Sequence, residues 1–157
     1  MRASKILTTL VENKPGTLYK VVHLVRLMRL NIEGLTLGVT NGGNTCRMTF
    51  TIDGDDATVD HVAKQLRKVI DVIEAQTYTP EEVNTRELAL VKVTATDKSK
   101  SVIESSGGCR VVDSSTKSLV VQIVGSASEI DNFVRTLGSD VLDIARTGVA
   151  ALPREAS

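Results

Sequence analysis

Aromatic residues are nearly missing from this chain: it has no tryptophan, two tyrosines and two phenylalanines in 157 residues. The core must therefore be built from Val, Leu and Ile, and an apolar content of 41% is enough to build one. The scarcity also counts against an RNA-binding sheet, which needs exposed aromatics to stack bases; Tyr19, Phe50, Tyr78 and Phe133 are the whole supply. An excess of charge of either sign is missing too. Nineteen basic residues balance nineteen acidic ones, with no basic block. That lacks the electrostatic footprint of a nucleic-acid partner or an anionic membrane surface. The two cysteines, Cys46 and Cys109, each stand alone in an apolar-alternating run and read as buried thiols. No Cys-x-x-Cys or His cluster accompanies them, so neither a metal site nor an oxidising compartment is indicated. No apolar run reaches the ~20 residues of a membrane span. Met1-Arg2-Ala3-Ser4-Lys5 leads straight into a strand without a leader pattern. The expectation is a soluble, cytoplasmic protein.

Catalytic signals are missing as well. His23 and His61 fall on the polar faces of their helical segments, without a carboxylate or nucleophile at a recognisable spacing. Asp53-Gly54-Asp55-Asp56 lacks the further ligands of a calcium loop and reads as a turn before a helix cap. Ser105-Ser106-Gly107-Gly108 is too unspecific for a phosphate cradle, and no dinucleotide or phosphate-loop fingerprint occurs.

What is present is a repeat. Residues 5–12 read as a strand, 15–28 as a helix and 31–40 as a strand, with Leu35, Leu37 and Val39 on one face. Asn41-Gly42-Gly43-Asn44 is a hairpin turn, because Asn and Gly supply positive φ at low cost. Residues 45–53 alternate with Cys46, Met48, Phe50 and Ile52 inward. Val59, Val62, Ala63, Leu66 and Ile70 form a helical stripe, and 72–78 closes the unit as a strand. A polar, Pro-containing stretch follows as a linker. The second copy starts with an apolar strand over 87–95, read as buried on both faces. After it come a short segment over 97–106, strands over 109–113 and 119–124, and a helix opened by a Ser126/Glu129 capping box. Ile130, Phe133, Val134 and Leu137 stripe that helix, Gly138 ends it, and 141–149 is the last strand, with a tail from Pro153 on. The fold class is therefore α+β: two ferredoxin-like βαββαβ sandwiches in tandem, spanning residues 1–78 and 86–157 with a linker at 79–85. In that topology the second strand lies on an edge. An apolar edge at 34–39 is a liability unless it is paired, which points to a homodimer.

The sharpest motif joins the first strand and helix: Glu12-Asn13-Lys14-Pro15-Gly16-Thr17-Leu18. Pro is tolerated where a helix starts. The free N–H groups and the positive dipole end there form a small anion site, and Gly16 lets a carboxylate approach closely. The bland alternative is a helix cap with Asn13 as N-cap. Asn31, opening the next strand, offers donor and acceptor together, and an amino acid needs both chemistries in one place.

This pattern resembles the N-terminal ACT domain of the acetolactate (acetohydroxyacid) synthase small regulatory subunit family. The matching stretches are 10–18, Asn31-Ile32-Glu33-Gly34-Leu35-Thr36 and Arg47-Met48-Thr49, and, in the second half, 86–93 and Arg146-Thr147-Gly148-Val149. The likeness covers nearly the whole chain. It implies a non-catalytic subunit that dimerises through its ACT domains, binds the catalytic large subunit, activates it and confers feedback inhibition by valine at the start of branched-chain amino-acid synthesis. It implies no cofactor in this chain, with thiamine diphosphate, Mg²⁺ and FAD in the catalytic partner. Carried over residue by residue, the effector site comprises Asn13, Pro15, Gly16, Thr17 and Leu18 of one chain, with Asn31, Ile32 and Leu35; Asn31 and Ile32 would come from the partner chain. Leu10 and Leu35 would shape the pocket for a branched side chain. Three positions depart from the family pattern: Tyr19 is bulky where a small polar residue is common, Arg29 replaces a glycine at the end of the first helix, and the 97–106 segment is short. The alternative reading is a free-standing ACT-type amino-acid sensor regulating another enzyme.

Overall fold

The computed structural model describes residues Ser4–Glu155, so the reading of Met1–Ala3 as leaderless lies outside the described residues. Twelve of the sixteen elements among the described residues follow the expected order. β1 (Ser4–Glu12), α1 (Thr17–Leu27), β2 (Asn31–Thr40), β3 (Thr45–Asp53), α2 (Asp56–Leu66) and β4 (Val72–Tyr78) form one βαββαβ set. β5 (Val83–Thr94), α3 (Asp97–Ser105), β6 (Cys109–Ser114), β7 (Ser118–Gly125), α4 (Ala127–Leu137) and β8 (Val141–Arg146) form the second. Three short 3₁₀ turns and a final strand, β9 (Ala150–Pro153), complete the chain.

The first sheet has the order β2-β3-β1-β4 and the second β6-β7-β5-β8, with β9 also pairing β5. Every neighbour is antiparallel along the two four-strand paths. Both are the ferredoxin-like arrangement, and β2 lies on an edge as predicted. Cys46, Met48, Phe50 and Ile52 point into the first core, where they meet Leu7, Val11, Val21, Val25, Val59, Val62 and Leu66. The second core gathers Ala89, Val91, Val93, Val121, Ile130, Phe133 and Leu137. Local chemistry sets the helix starts. Asp55 accepts from the Thr58 N–H at 2.9 Å, Thr96 and Ser99 close a capping box, and Ser126 and Glu129 close the predicted one.

Several sequence expectations are corrected. α1 starts at Thr17 rather than at residue 15, because Gly16 is its N-cap with φ +84°, a backbone that cannot belong to a right-handed helix. α2 ends at Leu66, so Ile70 does not join its stripe and is 90% exposed. The expected linker is structured: Pro80–Glu82 is a 3₁₀ turn held by a Thr79/Glu82 capping box, and β5 already starts at the buried Val83. β5 is buried on one face only, since Ala89, Val91 and Val93 are buried while Leu90 and Lys92 between them are exposed. The last predicted strand stops at Arg146, and the supposed tail includes the end of β9.

The chain divides into two compact units. One comprises the residues up to Asn84 together with those from Gly148 on, and the other Thr85–Thr147. Residues 148–155, expected in the second domain, thus cluster with the first. One burial in this unit goes beyond what alternation alone gives. Ile6, Thr8 and Thr49 lie on the sheet face turned away from the helices, yet all three are buried. The buried Val149 and Ala151 belong to the segment that returns to this unit, which is anchored by Thr36 Oγ1 donating to the Val149 carbonyl at 3.0 Å. Its far end is tied by the Arg154 N–H to the Glu82 carbonyl at 2.9 Å.

Candidate functional site

The loop between β1 and α1 is rigidly mounted. The Asn13 N–H donates to the Asn44 carbonyl at 3.0 Å, and Asn13 Nδ2 donates to the Gly43 carbonyl at 2.8 Å. The hairpin turn after β2 therefore carries the loop. Asn13 is not the N-cap; its side chain is spent on that turn, with Oδ1 left as an acceptor. The actual N-cap, Gly16, provides no side-chain cap. Its carbonyl takes the Lys20 N–H at 3.1 Å. Among the described residues, the N–H groups of Gly16, Leu18 and Tyr19 have no acceptor, the usual state of a helix's first donors. A Cβ built at Gly16 would meet nothing within 4 Å, so the approach to these donors is open.

The charges around the loop are matched. Lys20 Nζ sits 2.7 Å from Asp71 Oδ2, and Asp71 is buried beneath the loop, its backbone carbonyl accepting from the Glu12 N–H at 2.9 Å. The Lys20 ammonium, helped by Lys14 and the Thr17 hydroxyl, holds the Asp71 carboxyl below its ordinary value against the opposing effect of burial. Lys14 pairs with Glu12, whose carboxylate raises the lysine's pKa. The cradle is thus rich in N–H donors but carries no excess charge, which suits a zwitterion better than a polyanion. Sequence reasoning missed Lys20, Asp71 and the Gly43–Asn44 support. Lys20 follows Gly16 by one helical turn and was visible in principle, whereas Asp71 was hidden by reading the α2 stripe one turn too far.

Asn13, Pro15, Gly16, Thr17 and Leu18 gather at one end of the first sheet, with Thr17 buried and the others exposed. Asn31 lies at the other end. The register aligns Asn31 with Asp53 and Asp53 with Ser4, while Thr40, Thr45 and Glu12 share the loop's end. At about 3.3 Å per residue, Asn31 stands roughly 25 Å from the loop within one chain. Ile32 and Leu35 are half-buried and pack on the first core. Leu10 pairs with Arg47 and Leu35 with Phe50, so these two leucines face opposite sides of the sheet and do not line one pocket of a single chain. Tyr19 is exposed and stacks on His23, with ring centroids 5.4 Å apart.

Other candidates carry less. A cavity of about 170 Å³ is lined by Lys5, Asp56, Asp60, Thr77, Tyr78 and Glu82, but its groups are engaged with one another: Lys5 pairs with Asp56 at 2.7 Å and Thr77 bonds Asp60. Among the described residues no group of His, Cys, Asp and Glu could hold a metal ion, and no helix is long and apolar enough to cross a membrane. Cys46 is buried, while Cys109 is only half-buried, with its thiol pKa pushed up by burial.

Comparison with known proteins bears on the whole chain. Residues 7–74 match the family described as AHAS small subunit-like ACT domain, and residues 86–155 the family described as small subunit of acetolactate synthase. A probable acetolactate synthase small subunit of Archaeoglobus fulgidus is 36% identical over 94% of this chain and 95% of its own length. The acetolactate synthase small subunit of Mycobacterium bovis is 37% identical, covering 94% of this chain and 90% of its own. The crystal structure of the acetolactate synthase small subunit from Thermotoga maritima superposes with a TM-score of 0.86 at 29% identity, covering 98% of this chain and 99% of that one.

Proposed function

The chain belongs to the acetolactate synthase small-subunit family, and on that premise we propose that it is a non-catalytic regulatory subunit that activates the catalytic large subunit and subjects it to feedback inhibition by valine. The observation that carries the effector reading is the mounted loop at the start of α1. Its N–H donors are unclaimed and its lysines are already neutralised. Such a site receives the carboxylate of an amino acid, with Asn13 Oδ1 as an acceptor for the ammonium group.

A second copy of the chain completes the site. β2 has a free edge, and its Leu37 and Val39 are 48% and 60% exposed although they face the same way as the core residues Met48 and Cys46. A two-fold axis that pairs β2 antiparallel with its twin joins two four-stranded sheets into one. It also brings Asn31 of one chain to the Thr40 end of the other, the end that carries the loop. The 25 Å separation within one chain thereby becomes a contact between two. Thiamine diphosphate, Mg²⁺ and FAD belong to the catalytic partner, where pyruvate condenses with a second pyruvate or with 2-oxobutyrate. Inhibition requires valine to bind the inhibited arrangement of the holoenzyme more tightly than the active one, since equal affinity shifts nothing.

The test is a calorimetric titration with valine, with alanine as control, on the free chain, followed by valine inhibition of the reconstituted synthase. Wild type should bind saturably. Gly16→Asp places a carboxylate beside the ligand's own; about 3 kcal/mol of repulsion at 5 Å and an effective dielectric near 20, reduced by exposure, corresponds to valine sensitivity weakened roughly ten- to hundredfold. Activation of the catalytic subunit should persist. Normal valine sensitivity in that variant would refute the site, and co-purification without a thiamine-dependent partner would favour a free-standing sensor.

A further inference from the structure

The effector strand β2 is shaped by a segment from the far end of the chain. Its pairing with β3 slips between Ile32 and Gly34, so Asn31 and Ile32 are offset from the rest of the strand by a bulge. The backbone of Gly148 lies against that bulge. A Cβ at Gly34 would stand 3.6 Å from Gly148 Cα, and a Cβ at Gly148 would stand 3.3 Å from both Leu35 N and Thr36 Cγ2. Gly148 has φ +81°, a conformation that side chains disfavour. The next residue is fastened as well, since Thr36 Oγ1 donates to the Val149 carbonyl at 3.0 Å. An edge strand has a hydrogen-bonded ladder on one side only, and a bulge leaves it locally unpaired. Its exact course then depends on what packs against it.

We propose, resting on the effector reading above, that Gly148 and Val149 are positioning residues for the effector site: by packing on Gly34, Leu35 and Thr36 they set the bulge and hence the place of Asn31 and Ile32, without touching the effector. Gly148, with no Cβ and a positive φ, allows the two backbones to meet, and the Thr36 hydrogen bond fixes their relative height. Valine sensitivity thereby depends on a segment more than a hundred positions away in sequence, as the Thr36–Val149 separation of 113 shows.

The test uses the full chain with its catalytic subunit and three variants. Thr36→Val removes the hydrogen bond to Val149, Thr36→Ser keeps it, and Gly148→Ala adds a Cβ at positive φ against the Leu35 backbone. The valine concentration for half-inhibition should rise about fivefold in Thr36→Val, the loss one ordinary hydrogen bond converts to, and further in Gly148→Ala. Thr36→Ser should stay near wild type. Activation should remain in all three, and the amide NMR signals of Asn31 and Ile32 should shift in Thr36→Val but not in Thr36→Ser, in the valine-free chain. Thr36→Val with wild-type valine response and unmoved Asn31 and Ile32 signals would overturn the proposal, even if Gly148→Ala failed to fold. If wild type itself took up no valine, the effector reading would fall, and the amide shifts alone would decide whether Gly148 and Val149 position β2.

Discussion

Replacing Arg29 with glycine should stabilise the protein. α1 ends with Met28 as C-cap and Arg29 just beyond it at φ +57°. The Arg29 N–H donates to the Arg26 carbonyl at 2.9 Å and the Met28 N–H to the Leu24 carbonyl at 3.3 Å, and Leu30 then packs on the first core. This is the left-handed exit that glycine usually occupies. The turn to Asn31 therefore keeps a glycine conformation although the residue is arginine. A non-glycine residue held there costs about 1–2 kcal/mol, while glycine gives back roughly 0.4–1 kcal/mol through the greater entropy of its unfolded state. The Arg29 side chain is exposed and makes no ion pair or hydrogen bond among the described residues, so little else is lost. The net gain is about 0.5–1 kcal/mol, or roughly 1–4 °C in Tm for a chain of this size. Thermal and urea unfolding of the purified chain would measure it, with an unchanged urea m-value marking a true stability change. Arg29→Ala serves as control: it removes the same side chain but keeps the strain, and should gain nothing. A Tm for Arg29→Gly equal to or below wild type would refute the reasoning.

Two further outcomes follow from the ion pairs. Because the folded-state pKa of Asp71 is lowered, chiefly by Lys20, its contribution is complete above about pH 4, the ordinary carboxylate range, and is lost as the pH falls through the lowered value; Lys20→Met should therefore flatten the acid limb of a Tm-versus-pH curve, and an unaltered limb would contradict the pairing. In the second unit, Arg146 donates to the buried Glu87 from Nε at 3.0 Å and Nη2 at 2.8 Å, and to Asp131 from Nη1 at 2.6 Å, which raises the guanidinium pKa above its already high value. Glu87→Gln takes one of two carboxylates from the exposed Arg146 guanidinium and should cost about 1 kcal/mol, read as a lower urea midpoint; an unchanged midpoint would show that Asp131 suffices.

The elements were legible where hydrophobic period and cap chemistry agree. The alternation of Cys46, Met48, Phe50 and Ile52 and the Ser126/Glu129 capping box located β3 and the start of α4 without any tertiary information. The errors have specific physical origins. Gly16 and Arg29 take positive φ at the two ends of α1, so that helix is shorter than the 15–28 span read from its sequence. Ile70 has the spacing of α2 but lies past the point where that helix ends. The mixed polar run at 79–85 looked like a linker because its capping box closes a 3₁₀ turn rather than a longer helix. The loop from Asn13 to Leu18 could be placed from the sequence, because a helix start is a local feature. Its support by Asn44 and Asp71 could not, because both contacts close loops of about thirty to sixty residues and leave no local trace.

The two units share a topology but not the fate of their outer faces. In the first, Thr8 and Thr49 are buried on the face that polar residues would ordinarily leave to water, within the unit that residues 148–155 rejoin. In the second, Leu90 and Val124 stay 40% and 44% exposed. This difference matters most for β2. One of its edges is held by β3, its inner face meets the first core through Ile32 and Leu35, and its outer face receives Gly148 and Val149. Only its far edge is open, and Leu37 and Val39 give that edge apolar character. On the proposed reading, valine bound between two chains acts where β2 is free, while the rest of the strand resists deformation. Binding energy there is spent on choosing between arrangements of two chains rather than on bending one, which is the condition for an effector to shift an equilibrium it does not take part in chemically.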